Sequence, residues 1–312
     1  MSARTRFPAG LEQPAGSLRF GADALLLAAF VARHVEAKSI GRTADGLTAP
    51  RPAPFCDAPA DSRPVDVAEL GSGCGAALLA LALRCPQVNG MGLEREEPLV
   101  QAARHNARLL GLCGQTRFAA LDIGERSALS MLVGNPPHVH ASPANSASPV
   151  SPASQRRIAG SLHIVLTNPP YDAGGRPSPQ AMRERALRGD GSPRRGHKAG
   201  ESTLDTFCRA AAMLLRHRGY FFCIHDARAL PQLCVALHAA RLGVRRILPV
   251  HARAGGPALR VLVEARKGAA HDTVLEAPLY LHGDTFDGTP HWTDEALLFC
   301  PWLRRDSYDE PA

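Results

Sequence analysis

VDVAELGSGCGAALLALALRC, residues 65–85, sets the reading of the whole chain. Six residues led by valines end at three closely spaced glycines, and a run of ten residues without glycine or proline follows. The first piece has the length and composition of a buried strand, the second that of a helix. Gly71, Gly73 and Gly75 permit a tight turn between them and let backbone N–H groups approach a ligand at the helix N-terminus. The spacing G-x-G-x-G differs from the dinucleotide fingerprint G-x-G-x-x-G, and a lone glycine motif is a weak signal. Its weight comes from what surrounds it.

Downstream, short apolar runs alternate with helical patterns, the signature of a parallel sheet with helices on its faces. VDVAEL (65–70), NGMGLE (89–94), TRFAALD (116–122), LHIVLT (162–167), GYFFCIH (219–225), VRRILPVH (244–251) and ALRVLVEARK (258–267) read as strands. Helical patterns occupy 76–85, 98–112, 202–217 and 227–242. Only ARAGGP separates the last two strands, so they are expected to pair antiparallel. The predicted fold is α/β: one domain over 65–303 with a mostly parallel seven-stranded sheet, an antiparallel terminal hairpin and helices on both faces. Residues 1–64 form an N-terminal segment and 304–312 a tail. Three segments break the rhythm, at 38–64, at 139–157 within an insertion spanning 126–160, and at 176–200. The second contains VHASPANSASPVSPASQRR and the third is RPSPQAMRERALRGDGSPRRGHKAG; such compositions supply no packed face and read as flexible insertions.

Acidic residues stand where the first three strands end. Glu69 precedes the glycines, Glu94 closes the second strand, and Asp122 closes the third with Ile123 beside it. An acid after the second strand can accept hydrogen bonds from both hydroxyls of a ribose. A carboxylate after the third can accept from an adenine amino group while Ile123 packs on the ring. Each has an ordinary explanation, Glu69 as a helix-capping acid and the other two as turn residues. Together with the glycines they converge on the edge of the sheet where open α/β folds bind ligands, and they point to a nucleoside-containing cofactor. NAD is the rival ligand.

Two Asn-Pro-Pro runs compete for the chemistry. LVGNPPHVHAS contains Asn135, and VLTNPPYDAGG contains Asn168, Pro169, Pro170 and Tyr171. Asn168 follows a clean apolar strand and precedes a loop, a helical pattern and another strand. Asn135 follows the shorter SMLVG and runs into a Ser/Ala/Pro tract. A site needs rigid support, so Asn168 is the functional choice and Asn135 a chance turn.

With E-x-G-x-G-x-G, an acid after each of the next two strands and NPPY after the fourth, the chain resembles the class I S-adenosylmethionine-dependent methyltransferases that modify exocyclic or amide nitrogens. The resemblance implies a Rossmann-like domain and S-adenosylmethionine as cofactor, held by Glu69, Gly71, Gly73, Gly75, Glu94, Asp122 and Ile123; NPPY argues against NAD. It further implies that Asn168 accepts a hydrogen bond from the target NH2 through its side-chain oxygen, that Pro169 accepts a second through its carbonyl, and that Tyr171 stacks on the base. The physical logic is direct. An aryl amine is a poor nucleophile because its lone pair is delocalised, and two acceptors gripping both N–H bonds favour a pyramidal nitrogen. Prolines fix the backbone and bring no competing N–H. Catalysis is then positioning and electrostatics, with no covalent intermediate.

QPAGSLRFGADALLLAAFV (13–31) is similar to the leading segment of the bacterial adenine-N6 methyltransferases that modify a tRNA(Val) base beside the anticodon. That resemblance implies that Arg19, Phe20 and Asp23 belong to a segment closing over the cofactor. APLYLHGDTFDGTPHWTDEALLF (277–299) is similar to the ending of that family, so the likeness covers most of 13–303 outside the insertions.

Composition bounds the rest. The chain has 312 residues, is 45% hydrophobic and carries eight scattered cysteines with no C-x-x-C pair, which read as reduced core residues of a cytoplasmic protein. RTRFPAGLEQPAG has no apolar centre, and no stretch approaches the ~20 apolar residues of a membrane span, so neither a leader nor a membrane is expected. A formal charge of +7 and a pI near 9.2 admit a polyanionic partner, with a solvated basic surface as the alternative. Arg183, Arg185, Arg188, Arg194, Arg195 and Lys198, within 183–198, could hold RNA phosphates; a solvated loop explains them equally. Arg245, Arg246, Arg253 and Arg260 add positive charge around the final strand pair, where strand-edge solubility is an equally simple account. His138, His140 and His225 lack acidic or cysteine partners at ligand spacing, so no metal is expected.

The sequence therefore predicts N6-methylation of an adenine in tRNA, with the base extruded from its stack into the NPPY pocket. A protein glutamine-N5 methyltransferase is the runner-up, because an amide NH2 makes the same two hydrogen bonds; an N-terminal helical domain would be expected for it, and only residues 1–64 precede the first core strand. A guanine-N2 rRNA methyltransferase and, from another class, a non-catalytic RNA-binding scaffold are the remaining alternatives.

Overall fold

The computed structural model describes residues 2–39, 64–134, 156–171, 179–188, 201–283 and 291–306. Asn135 with its NPPH run, and Arg194, Arg195 and Lys198, lie outside the described residues. Two N-terminal helices, α1 (Ala3–Arg6) and α2 (Ala22–Ser39), precede β1 (Val65–Leu70), α3 (Ala76–Arg84), β2 (Val88–Glu94), α4 (Glu97–Leu109), β3 (Thr116–Ala120) and α5 (Arg126–Met131). A small antiparallel ladder of β4 (Val133–Gly134) and β5 (Arg156–Arg157) comes before β6 (Leu162–Thr167), α6 (Ala181–Arg188), α7 (Thr203–Leu214) and β7 (Leu215–Asp226). The chain continues through α8 (Leu230–Ala239), β8 (Leu242–His251), β9 (Ala258–Lys267), β10 (Val274–Leu275), β11 (Leu279–Tyr280), α9 (Asp294–Phe299) and α10 (Leu303–Asp306).

The main sheet runs β10-β8-β9-β7-β6-β1-β2-β3, with β11 also on β8. All seven expected strands are present, and the two-residue strands β10 and β11 extend the sheet to nine. Pairs from β3 to β7 are parallel, and β9 is antiparallel to both β7 and β8. β1, β2 and β6 are buried almost throughout because helices cover both of their faces. One core layer joins α2, α3, α4, α9 and α10 to the sheet; the other joins α7, α8 and Leu129 of α5. Every residue of α3 is buried, and so is all of 25–32 in α2. The two helices pack on one another, so each is core on nearly every side, and each fully buried leucine contributes roughly 1.5–3 kcal/mol.

Three local readings are corrected. The helical pattern expected to reach residue 217 stops at Leu214. Leu215, at φ −66° and ψ 136°, leaves the helix directly into β7 and pairs with Leu162. The ladder then shifts register between Leu162 and Ile164, with Arg218 at φ 58° in the detour. Burying Leu214 and Leu215 together in the core outweighs one further helical turn. β3 ends at Ala120, two residues before Asp122. Helix α6 occupies part of the 176–200 segment expected to be a flexible loop, and its Met182 packs on the first core layer; α5, with Leu129 fully buried, opens the 126–160 insertion. Among the described residues no helix is long and apolar enough to cross a membrane.

Candidate active site

Strand register assembles the site. Leu70 pairs with Leu93 on one side and Thr167 on the other, Thr167 pairs with Cys223, and Glu94 pairs with Ala120. Gly71, Glu94 and Asn168 therefore occupy neighbouring positions on the carboxyl edge. Chain order reverses between β1 and β6, the switch point where open sheets form a ligand crevice. Thr167, fully buried, donates its hydroxyl to the Leu70 carbonyl at 2.9 Å and pins the strand end from which Asn168 departs.

The glycine turn is shaped for close approach. Gly71, Gly73 and Gly75 have φ of 65°, 54° and 87°. A Cβ at Gly75 would lie 2.8 Å from the Phe118 ring, so space and conformation both demand glycine. A Cβ at Gly73 would meet nothing within 4 Å, which leaves the front of the turn open. Glu94 Oε2 accepts from the Gly73 N–H at 2.9 Å, and Oε1 accepts from the Arg95 and Glu96 N–H groups at 2.8 and 3.0 Å. Ser72 Oγ, in the same turn, is buried without a hydrogen-bond partner among the described residues. An open cradle, a carboxylate with an acceptor site to spare and an unmatched hydroxyl fit a nucleoside-bearing cofactor.

The other expected cofactor residues differ in what they touch. Glu69 is buried, and its Oε2 accepts from the Leu78 N–H at 3.0 Å, which caps the first turn of α3. Burial pushes its carboxyl up to about 8, aided by the charge of Glu94 and opposed by the Leu78 bond. Asp122 Oδ1 accepts from the Gly124 N–H at 2.9 Å and so holds its own turn. Ile123 is 8% exposed and belongs to the same core layer as Leu129.

On the other side of the switch point, the Tyr171 hydroxyl lies 2.5 Å from Asn168 Oδ1 and 2.9 Å from Asp23 Oδ2. Arg260 Nε donates to the same Asp23 oxygen at 2.9 Å, and its guanidinium carbon sits 4.6 Å above the Tyr171 ring centre. The His225 ring approaches edge-on at 5.1 Å. Tyr171, expected to stack on a base, thus has one ring face under Arg260. Asp23, expected over the cofactor, ties the start of α2 to the NPPY loop and to β9. Arg19 is exposed, while the Phe20 N–H donates to Gln13 Oε1 at 3.0 Å.

Two residues escaped the sequence reading. Arg260 passed for a solubilising charge, because its acidic partner is 237 residues away. Asn106 is fully buried: its Nδ2 donates to the Cys74 and Glu12 carbonyls, both at 3.0 Å, and its Oδ1 accepts from the Glu12 N–H at 2.7 Å. It fastens the glycine turn to the N-terminal segment. The signal was available, since Asn106 stands at helical spacing from Leu99, Ala102 and Ala103 on the apolar stripe of α4, where an amide needs a polar task.

The basic segment is less free than expected. Arg185 donates two hydrogen bonds to Glu96, each 2.8 Å, and so belongs to the start of α4. Arg183 is exposed. Among the described residues no group of three or more His, Cys, Asp or Glu is arranged to hold a metal, and Cys74, Cys85, Cys113, Cys208, Cys223, Cys234 and Cys300 are not disulfide-bonded.

No family model matches the chain. A stretch of 75 residues is 35% identical to the release factor glutamine methyltransferase of Bradyrhizobium diazoefficiens, covering 23% of this chain and 25% of that protein. The match thus spans a quarter of the length of that curated relative. The crystal structure of a predicted O-methyltransferase from Agrobacterium tumefaciens is similar over 89% of this chain and 95% of its own, with a TM-score of 0.55 and 19% identity. The chain has the Rossmann-like fold of class I methyltransferases.

Proposed function

We propose that the protein is an S-adenosylmethionine-dependent methyltransferase acting on the nitrogen of a planar NH2 group, and that its substrate is an adenine of tRNA methylated at N6. The observation that supports this most is the strand register that makes Asn168 the neighbour of Gly71 and Glu94 at the switch point. Gly71, Gly73 and Gly75 cradle the cofactor, Glu94 offers its remaining acceptor site to the ribose, and Asp122 and Ile123 face its adenine. Glu69 shapes the turn from beneath. When bound, the cofactor supplies an electrophilic methyl group on a sulfonium.

Asn168 Oδ1 and the Pro169 carbonyl accept the two N–H bonds of the target and hold the nitrogen pyramidal, its lone pair turned toward the glycine side. Pro170 contributes rigidity and no competing donor. Holding the nitrogen in this geometry lowers the barrier through orientation and fixed dipoles. A glutamine amide on a protein is the second reading, favoured by the 75-residue match to a release factor glutamine methyltransferase. The +7 charge and the resemblance over 13–31 favour tRNA.

The test is incubation with methyl-labelled S-adenosylmethionine and, separately, total tRNA and total protein, followed by digestion. Labelled N6-methyladenosine is the expected product. Labelled N5-methylglutamine would move the substrate to the second reading, and no label in either pool would overturn the enzyme assignment.

A further inference from the structure

The Tyr171 phenol has one proton and two acceptors within reach, Asn168 Oδ1 at 2.5 Å and Asp23 Oδ2 at 2.9 Å. Burial, the largest influence, and the charge of Asp23 raise its pKa well above the usual tyrosine value, so the proton stays on the phenol. A hydroxyl donating to Asn168 draws density from Oδ1 and competes with an incoming N–H. A hydroxyl donating to Asp23 leaves that oxygen free. A carboxylate is the stronger acceptor, but the same Asp23 oxygen also receives the Arg260 Nε–H at 2.9 Å, which tempers its pull. Arg260 meanwhile holds the ring from above by a cation–π contact of 4.6 Å, so the hydroxyl can reorient while the ring stays in place.

We infer that Asp23 and Arg260 are positioning residues that direct the Tyr171 hydroxyl, and that Asp23 is the acceptor to which it turns when Asn168 receives the target N–H. This rests on the nitrogen-methyltransferase reading of Asn168. Asp23 starts α2, Tyr171 follows β6 and Arg260 opens β9, so three distant segments converge on one phenolic proton.

The experiment compares Asp23→Ala, Asp23→Asn, Tyr171→Phe and the double variant Asp23→Ala/Tyr171→Phe in methyl transfer to whichever pool, total tRNA or total protein, accepts label. Asp23→Ala leaves the phenol only Asn168 and should lower kcat about tenfold, with the KM for S-adenosylmethionine changed less than about twofold. Asp23→Asn keeps an acceptor oxygen and should retain most of the rate. With the phenol removed, Asp23→Ala should cost less than about twofold, so the double variant should run at the rate of Tyr171→Phe. A double variant about tenfold slower than Tyr171→Phe overturns the inference, because Asp23 would then act without the phenol. NMR of protein labelled with [13Cζ]tyrosine gives a readout independent of activity: among four tyrosines, the signal lost in Tyr171→Phe should move in Asp23→Ala, or in Asp23→Asn if the former does not fold. An unmoved signal also overturns it. Full activity of Asn168→Ala would instead remove the reading of Asn168 itself, whatever the Asp23 series gives.

Discussion

Asn168 owes its place to Thr167, whose hydroxyl closes on Leu70 and leaves the asparagine at the rim beside Gly71. Asn168→Ala should therefore reduce methyl transfer by about a hundredfold or more while leaving S-adenosylhomocysteine affinity, read by calorimetry, within about threefold. A proportional loss of both would mean that the residue serves the cofactor. Glu69 offers a different test. Its carboxyl titrates near 8 in the folded protein against 4.5 for an ordinary one, so between those values the folded state holds a proton that the unfolded state has released. Stability contributed by the protonated form is present at low pH and is lost as pH rises from about 4.5 to about 8, levelling off above. Glu69→Gln should flatten the decline of Tm across that window; an unchanged slope would show that the group does not titrate there. At this scale the glycines were legible because backbone geometry demands their residue type, and the position of Asn168 at a strand end was legible from the apolar run LHIVLT before it. Arg260 was not, since a charge on a strand carries no mark of a partner on another element.

Among the elements, α7 and α6 show what local sequence can and cannot announce. Ser202 Oγ accepts from the Asp205 N–H at 3.1 Å, and Asp205 returns a bond from the Ser202 N–H at 3.0 Å. The Ser-Thr-Leu-Asp pattern advertises this start, and Ser202→Ala should cost about 1 kcal/mol, lowering Tm by about 2 °C in a melt. α6 has no such signature: its charged sequence reads as loop, and its anchor is the fork of Arg185 on Glu96. That pair is partly exposed, 33% and 19%, and contributes no more than about 1 kcal/mol. Arg185→Ala should accelerate amide exchange over 181–188 without altering exchange in α4; equal protection would show that Met182 packing alone secures the helix. The end of α7 is hidden for the opposite reason. Leu214 and Leu215 continue the helical spacing, and only the distant Leu162 makes Leu215 a strand residue.

For the whole molecule, charge and topology carry the remaining expectations. Arg185 is committed to Glu96, so the RNA contact proposed for the segment would fall to its neighbours. Neutralising Arg194, Arg195 and Lys198 should make the plot of log affinity for total tRNA against log salt shallower, by about one unit for each phosphate those side chains neutralise. Filter binding between roughly 50 and 200 mM salt, the range over which phosphate neutralisation dominates, measures it. An unchanged slope would assign those charges to solvation. The alternation of strand and helix, and the antiparallel end, were legible because parallel strands require long crossovers and a short connection forbids one. The insertion of β9 between β7 and β8 was not. It follows from β9 being buried on both faces over 261–265, whereas the outer edge of β8 is left for β10 and β11.

Because β9 runs against its neighbours, its opening residues stand where the other strands finish, and this is how Arg260 arrives opposite Asp23. During synthesis the ribosome releases Asp23 first, Tyr171 much later and Arg260 only after the preceding strands have emerged. A nascent chain halted before the final hairpin would hold an acid and a phenol with no cation over them. The last long strand to be made is the one that completes the cluster of acid, phenol and cation.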